Sequence, residues 1–368
     1  MGLLLRLLAA ERYHCCAEQV RLRDEVGKRN GIDRTCSTNL HALERVDLPA
    51  TAPPSSDRSN YDHWVIRATL YTDPACPWGY SALPALRVLE WRYGDQLDWR
   101  VVMIGLREDA GALAAGWDAG ASAARLGVFR DRYGMPFALN PKARAAGTGR
   151  GCRAVVASRV LDPGSEWATL RALHLANFTT PLLLDDDESI REALAAAGLD
   201  ADAIVDRLDD PEVTEAYERD KTEARTAMGT PAEAQGKTST SDGPVRYTAP
   251  SVVFELDDRR LVGGGWQPVL AYDVLIANLA PSLLREPPPE TPEPLLERFP
   301  GGLTTAEIAA LLAQGPDYVA DTEATERLLM EVVKAGAAIR IPLGQDALWK
   351  TAGGAAESSP RRAAATTA

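Results

Sequence analysis

Positive charge is in deficit along this 368-residue chain: 40 Lys and Arg stand against 52 Asp and Glu, for a formal charge of -12. Nucleic-acid binders need basic surface to neutralise phosphates, so the balance argues against that class. Histidine is scarce as well. His14, His41, His63 and His174 lie far apart, and no CxxC occurs, so metal-ligand spacing is absent. The cysteines, Cys15, Cys16, Cys36, Cys76 and Cys152, are odd in number and sparse, which excludes a disulfide scaffold and points to a reducing cytoplasm. No apolar run approaches the roughly 20 residues of a membrane span. The opening "MGLLLRLLAAERYHCC" mimics a secretory leader briefly, but Arg6 interrupts it, and Arg12 and His14 follow where a small-residue cleavage site belongs. Cytoplasmic localisation, with neither nucleic acid nor membrane as partner, is the expectation.

What is present is ordinary globular chemistry, 45% apolar and 25% charged, in a chain long enough for one large domain and a small second one. Residues 1–62 are weakly patterned and end in the linker-like "PATAPPSSDRSN"; they read as a poorly ordered extension. The pattern changes at 63. "HWVIRATLYT" reads as a strand, "PWGYSALPALRVLEWRYG" as a helix stopped by Gly94, and "LDWRVVMIGL" as a second strand. This is a βαβ unit, with a parallel sheet at that point. Residues from about 106 to 228 are Ala- and Leu-rich with helical periodicity, and "GTPAEAQGKTSTSDGP" reads as a polar loop. "APSVVFEL", "RRLVGGG" and "WQPVLAYDVLIANL" then read strand, strand, helix, completing a domain over 63–283. Residues 284–299 form a proline-rich, semi-rigid linker. A small unit over 300–352 follows, with a Thr-capped helix, an Asp-capped helix and a hairpin, then a disordered tail over 353–368.

The chemistry concentrates at "CPWG", residues 76–79. Cys76 falls between the end of the first strand and the start of the next helix, and Pro77 suits the first helical position because its missing N–H would be an orphan there. Free N–H groups and the positive end of the helix dipole favour a thiolate, the form that attacks disulfides and electrophiles. A buried cysteine acting as a small hydrophobe is the alternative. Where a redox turn would place its second cysteine stands Gly79.

"TDPACPWGYSALPAL", "LHLANFTTPLLLDDDESIREALAAAGLD" and "YTAPSVVFELDDRRLVGGGWQP", in this order, resemble the DsbA-like branch of the thioredoxin superfamily. That branch includes 2-hydroxychromene-2-carboxylate isomerases, kappa-class glutathione transferases and actinobacterial thiol-dependent reductases. The resemblance spans about residues 64–282. It implies an α/β, thioredoxin-like fold with a large all-helical insertion roofing the site, here followed by a small C-terminal helical unit of winged-helix-like order. It also implies Cys76 as nucleophile and a cis bond before Pro250, placing the Ala249 backbone beside Cys76 to pair with a thiol substrate.

Gly79 departs from the two-cysteine pattern and leaves monothiol chemistry, with glutathione or a mycothiol-type thiol as co-substrate and no tightly bound cofactor. Cys152 is the other candidate resolving thiol within the core, if its Cα lies within about 7 Å of that of Cys76; a lone buried cysteine is the alternative. The glycines of "AGTGRG", with Arg150 inside that stretch and Arg153 just beyond it, offer backbone N–H groups and charge to an anionic group on a thiol cofactor, unless the stretch is simply a flexible loop before a helix. Trp78 and Tyr80 flank the nucleophile as pocket walls or as core.

"GTPAEAQGKT" invites a P-loop reading, but the motif's first glycine is Pro231 here and no strand precedes it. In the C-terminal unit, "DTEATERLLMEVVKAG" sets Asp321, Glu323, Glu326 and Glu331 against Arg327 and Lys334, the wrong balance for phosphate approach. Three functions remain open. The first is a thiol-dependent oxidoreductase or transferase acting through Cys76 on a disulfide or electrophilic substrate. The second is a non-catalytic thioredoxin-like module that holds a protein partner, and the third is a thiol-cofactor-dependent isomerase. A homodimer is compatible with each.

Overall fold

The computed structural model describes residues 65–240, 243–314 and 319–355, so the expectations for residues 1–62 and for the tail from 356 onward lie outside the described residues. The strand β1 (Ile66–Thr72) exposes only Arg67, because both of its faces are covered. After it come the short helix α1 (Pro77–Ser81) and α2 (Leu83–Tyr93), which ends at Gly94 with a φ of 51° that favours glycine. β2 (Leu97–Met103) pairs parallel to β1, with Leu70 opposite Val101, so the βαβ unit is present.

The helical block is α3 (Gly111–Ala115), α4 (Ala119–Tyr133), α5 (Gly149–Leu161), α6 (Glu166–Thr179), α7 (Asp187–Ala196), α8 (Ala201–Val205) and α9 (Pro211–Ala224). Local chemistry starts several of these. The side chains of Asp118, Asp186 and Asp200 accept N–H bonds from the first turns of α4, α7 and α8. α5 carries the buried stripe Cys152, Val155 and Val156 and packs on α6 and α9, while α9 also covers β2.

The stretch expected to be a polar loop holds α10 (Pro231–Ala234), started by Pro231, and β3 (Thr238–Ser239), paired with β4 (Arg246–Tyr247). β5 (Ser251–Leu256) lies antiparallel to β1, with Val252 opposite Leu70, and β6 (Arg259–Gly263) closes the edge. The main sheet is therefore mixed, in the order β2-β1-β5-β6. α11 (Val269–Leu279) packs on β5 and β6 and also against α2.

The C-terminal unit comprises α12 (Glu293–Arg298), β7 (Leu303–Thr304), α13 (Thr305–Leu312), α14 (Thr322–Lys334), β8 (Ala338–Leu343) and β9 (Asp346–Thr351). Its antiparallel sheet runs β7-β9-β8. The reading of residues 284–299 as a spacer needs correction. The Glu286 N–H bonds the Arg92 carbonyl at 2.8 Å, the Trp91 indole donates to the Pro287 carbonyl at 2.8 Å, and Glu293–Arg298 is helical. The unit is then locked in place. Glu307, in the capping box of α13, is wholly buried and accepts a bidentate bond from Arg171 of α6, while Arg87 of α2 reaches it at 3.6 Å. One carboxylate thus ties the C-terminal unit both to the helical block and to the helix that follows the CPWG turn.

Candidate functional site

β1 ends at Thr72, and Asp73 organises the turn beyond it. Its backbone carbonyl accepts the Cys76 N–H at 3.0 Å. Its carboxylate, fully buried, accepts the N–H of Ala75 at 2.9 Å and of Leu106 at 2.8 Å, and the Thr148 hydroxyl at 2.9 Å. Two distant segments, at Leu106 and Thr148, are therefore tied to the start of α1 through one side chain. Cys76 is the N-cap of α1, with Pro77 in its first turn. The Ala249–Pro250 bond is cis, and the Cys76 thiol donates to the Ala249 carbonyl at 3.2 Å.

The thiol is at the same time withdrawn from water. Cys76 is 3% exposed, and burial pushes its thiol up to about 12. The Gly79 and Trp78 N–H groups and Arg246 pull the other way, while the charge of Asp73 reinforces the rise. Burial thus works against the helix-start thiolate expected from the sequence, while the two N–H groups directed at the sulfur from a five-residue helix work for it.

Cys152 is also a free, buried thiol, and no disulfide joins it to Cys76. It donates to the Asp73 carboxylate at 3.5 Å, and burial followed by the Asp73 charge raises it well above the ordinary thiol range. The two sulfurs are thus engaged by different acceptors, Cys76 by a carbonyl and Cys152 by a carboxylate. Gly79 is hemmed in: a Cβ there would lie 2.7 Å from the Thr72 hydroxyl oxygen, 3.5 Å from the Cys76 Cβ and 3.6 Å from the His174 Nε2.

Arg150 is bound bidentately by Asp187 and also reaches Asp209 at 3.0 Å; Arg153 pairs with Glu108 at 3.0 Å and lies over the Tyr217 ring. Both guanidinium groups are committed to carboxylates, so the expectation that they hold an anionic thiol is corrected. Tyr80 is corrected too. It is fully buried, donates to the Pro136 carbonyl at 2.9 Å and stacks on Phe178, which makes it core and not pocket wall. Trp78 is half-buried, edge-on to Phe129 of α4 at 4.7 Å. Among the described residues no group of His, Cys, Asp and Glu is arranged to hold a metal ion.

Sequence reasoning missed Asp73, Thr72, Thr148 and His174. The buried His174 places its Nε2 3.2 Å from the Asp73 carbonyl, and dehydration lowers its pKa to about 4, so it is neutral. The one available signal was Asp73 itself, an acid three residues before Cys76 in "TDPAC" and thus in reach of turn N–H groups.

The model of the DSBA-like thioredoxin domain matches residues 68–244. The chain is 24% identical over 292 residues to the ClpXP adapter protein SpxH of Shouchella clausii (strain KSM-K16), with 76% of this chain and 86% of that protein covered. Among solved structures, a putative protein disulfide isomerase from Nitrosomonas europaea is similar at a TM-score of 0.45 and 14% identity, over 58% of this chain and 97% of its own. The cytosolic disulfide reductase DsbM from Pseudomonas aeruginosa is similar at 0.43 and 19%, over 59% and 100%.

Proposed function

Given a DsbA-like thioredoxin domain over residues 68–244, we propose that this chain is a protein-binding module that uses the thioredoxin scaffold without turning over thiols. The setting of Cys76 carries the reading: a thiol buried from solvent and hydrogen-bonded to the Ala249 carbonyl at 3.2 Å, beside a glycine in place of a resolving cysteine. Exchange needs a thiolate and a route to it. The similarity to an adapter protein supports the same direction, because it covers more of the chain than the thioredoxin domain alone supplies. A C-terminal unit bonded rigidly to the scaffold suits a composite docking surface for a protein chain.

A second reading, monothiol exchange with a glutathione- or mycothiol-type thiol, is favoured by the Gly79 and Trp78 N–H groups, which stabilise a thiolate once its dehydration is relieved. Two measurements separate the readings. Intact mass after incubation with oxidised glutathione or the mycothiol disulfide at neutral pH should show no adduct on Cys76. The rate of Cys76 alkylation should keep rising beyond pH of about 9, without the plateau of an ordinary thiol near 8.5. A rapid adduct absent from Cys76→Ala, together with a plateau near neutrality, sinks the binding-module reading in favour of exchange. Retention of a stoichiometric protein partner by Cys76→Ala at native affinity supports it.

A further inference from the structure

We infer that the outer flank of α4, with the aromatic row beside it, is a docking surface for a protein segment that sets an apolar side chain among carboxylates. The inference rests on the binding-module reading and names the class of partner such a module takes.

Sequence spacing builds the surface. Arg125, Val128, Phe129 and Arg132 stand at i, i+3, i+4 and i+7 in α4, so they form one stripe along the helix. Arg125, Val128 and Arg132 are exposed, Val128 at 66%, and Phe129 is half-buried along the inner edge of the stripe. From Phe129 a row of rings continues. Trp78 of α1 meets it edge-on at 4.7 Å, Tyr133 lies 6.0 Å from it, and Trp266 lies 4.9 Å from Tyr133. These three rings are half-buried as well, each resting on its neighbours with part of its surface open. The row is fixed at its far end, where the Trp266 indole donates to the Ser81 carbonyl at 3.1 Å and ties the loop after β6 to the end of α1. Aromatic rings offer large contact area at low entropic cost, and Trp, Tyr and Arg are the side chains that dominate protein interfaces.

Charge decides the occupant. The acids at this helix are already engaged: Asp118 accepts the Ala121 N–H at 2.9 Å, and Asp131 is paired with Arg130 at 2.9 Å. Arg125 and Arg132 have no carboxylate partner among the described residues, and Arg132 lies over the Tyr133 ring at 5.3 Å. In a chain of net charge -12, two such arginines bracketing an apolar stripe attract an acidic segment and disfavour a basic one. Apolar contact with the rings supplies burial, and the guanidinium forks hold the flanking carboxylates.

Selection of random dodecapeptides displayed on phage against the full chain tests the surface. Recovered sequences should carry Asp or Glu within two residues of Phe, Trp or Leu. A synthetic peptide of that sequence should bind Arg125→Glu/Arg132→Glu about tenfold or more weakly than the native chain, the equivalent of about 1.4 kcal/mol. Its affinity for the native chain should fall as salt rises. With its acids changed to Lys, the peptide should prefer the variant. The urea midpoint of the variant should match the native one, because neither arginine has a carboxylate to lose. Neutral or basic sequences, or none, overturn the inference. Peptides that bind the variant unchanged overturn it while leaving the binding-module reading intact, and the Cys76 adduct measurement judges that reading separately. A native dimer in sedimentation that the variant dissociates assigns the surface to a second copy and also overturns the inference.

Discussion

Replacing Gly79 with cysteine tests whether the scaffold still holds a two-thiol geometry and what keeps it from being used. The Cβ of residue 79 would stand 3.5 Å from the Cys76 Cβ, at the near edge of the roughly 3.5–4.5 Å that a disulfide requires. The same Cβ would stand 2.7 Å from the hydroxyl oxygen of Thr72, a buried β-branched residue with little freedom to turn away. The clash comes from Cβ, so it is present in the reduced and oxidised forms alike and appears in stability, not in the redox potential. Overpacking of this kind costs about 1–3 kcal/mol, and replacing a helical glycine returns about 0.5–1 kcal/mol. Gly79→Cys should therefore be destabilised by about 1 kcal/mol in urea unfolding under reducing conditions. Thr72→Ala removes a hydroxyl that has no hydrogen-bond partner, so by itself it should cost little more than the lost methyl contacts. The double variant should be more stable than the sum of the singles predicts, with a coupling of about 1–2 kcal/mol. Refolded from urea in oxidised glutathione, where both thiols are exposed before the chain closes, it should lose two hydrogens from its intact mass, as two thiols become a disulfide and two glutathiones are released. A Gly79→Cys chain as stable as the native one, with no coupling to Thr72→Ala, refutes the argument. So does a double variant that never oxidises.

Two further outcomes follow from buried charge. His174, lowered to about 4 in the folded chain, takes up a proton at a higher pH when unfolded, so stability should fall as pH drops from about 6.5 to 4, by up to about 3 kcal/mol; urea midpoints across that window should flatten in His174→Gln. Glu307→Ala leaves Arg171 buried without its carboxylate and removes the more distant of two carboxylates beside Arg87, which keeps Glu90; the change should cost about 3–5 kcal/mol. Chemical unfolding of that variant, compared with an Arg171→Met/Glu307→Leu pair expected to recover most of the loss, would contradict the reading if both single and double changes were within 1 kcal/mol or so of native.

Legibility in the sequence tracked distance along the chain. The strand at Ile66–Thr72, the cap positions of Thr304 and Asp321, and the helix start at Pro77 were readable because each depends on residues within one turn or one pleat. The roles given to Arg150, Arg153 and Tyr80 failed for the opposite reason. Their partners, Asp187 and Asp209, Glu108, and Pro136 and Phe178, lie tens of residues away, and composition does not say which acid meets which base. Likewise "REPPPETPEP" has the composition of a spacer, yet the Arg92 and Trp91 bonds pin it to α2.

By itself the amino-acid order determined that a lone cysteine would cap a helix beyond a buried strand, with no cysteine three residues on. Whether that cysteine lies open to water or buried was decided only in three dimensions. A thiol's charge depends on how much water reaches it, and at Cys76 solvent is excluded by groups remote in sequence, among them the Ala249 carbonyl, 173 residues away. Burial at that point is a sum over the whole packed domain, which no local stretch of the chain encodes.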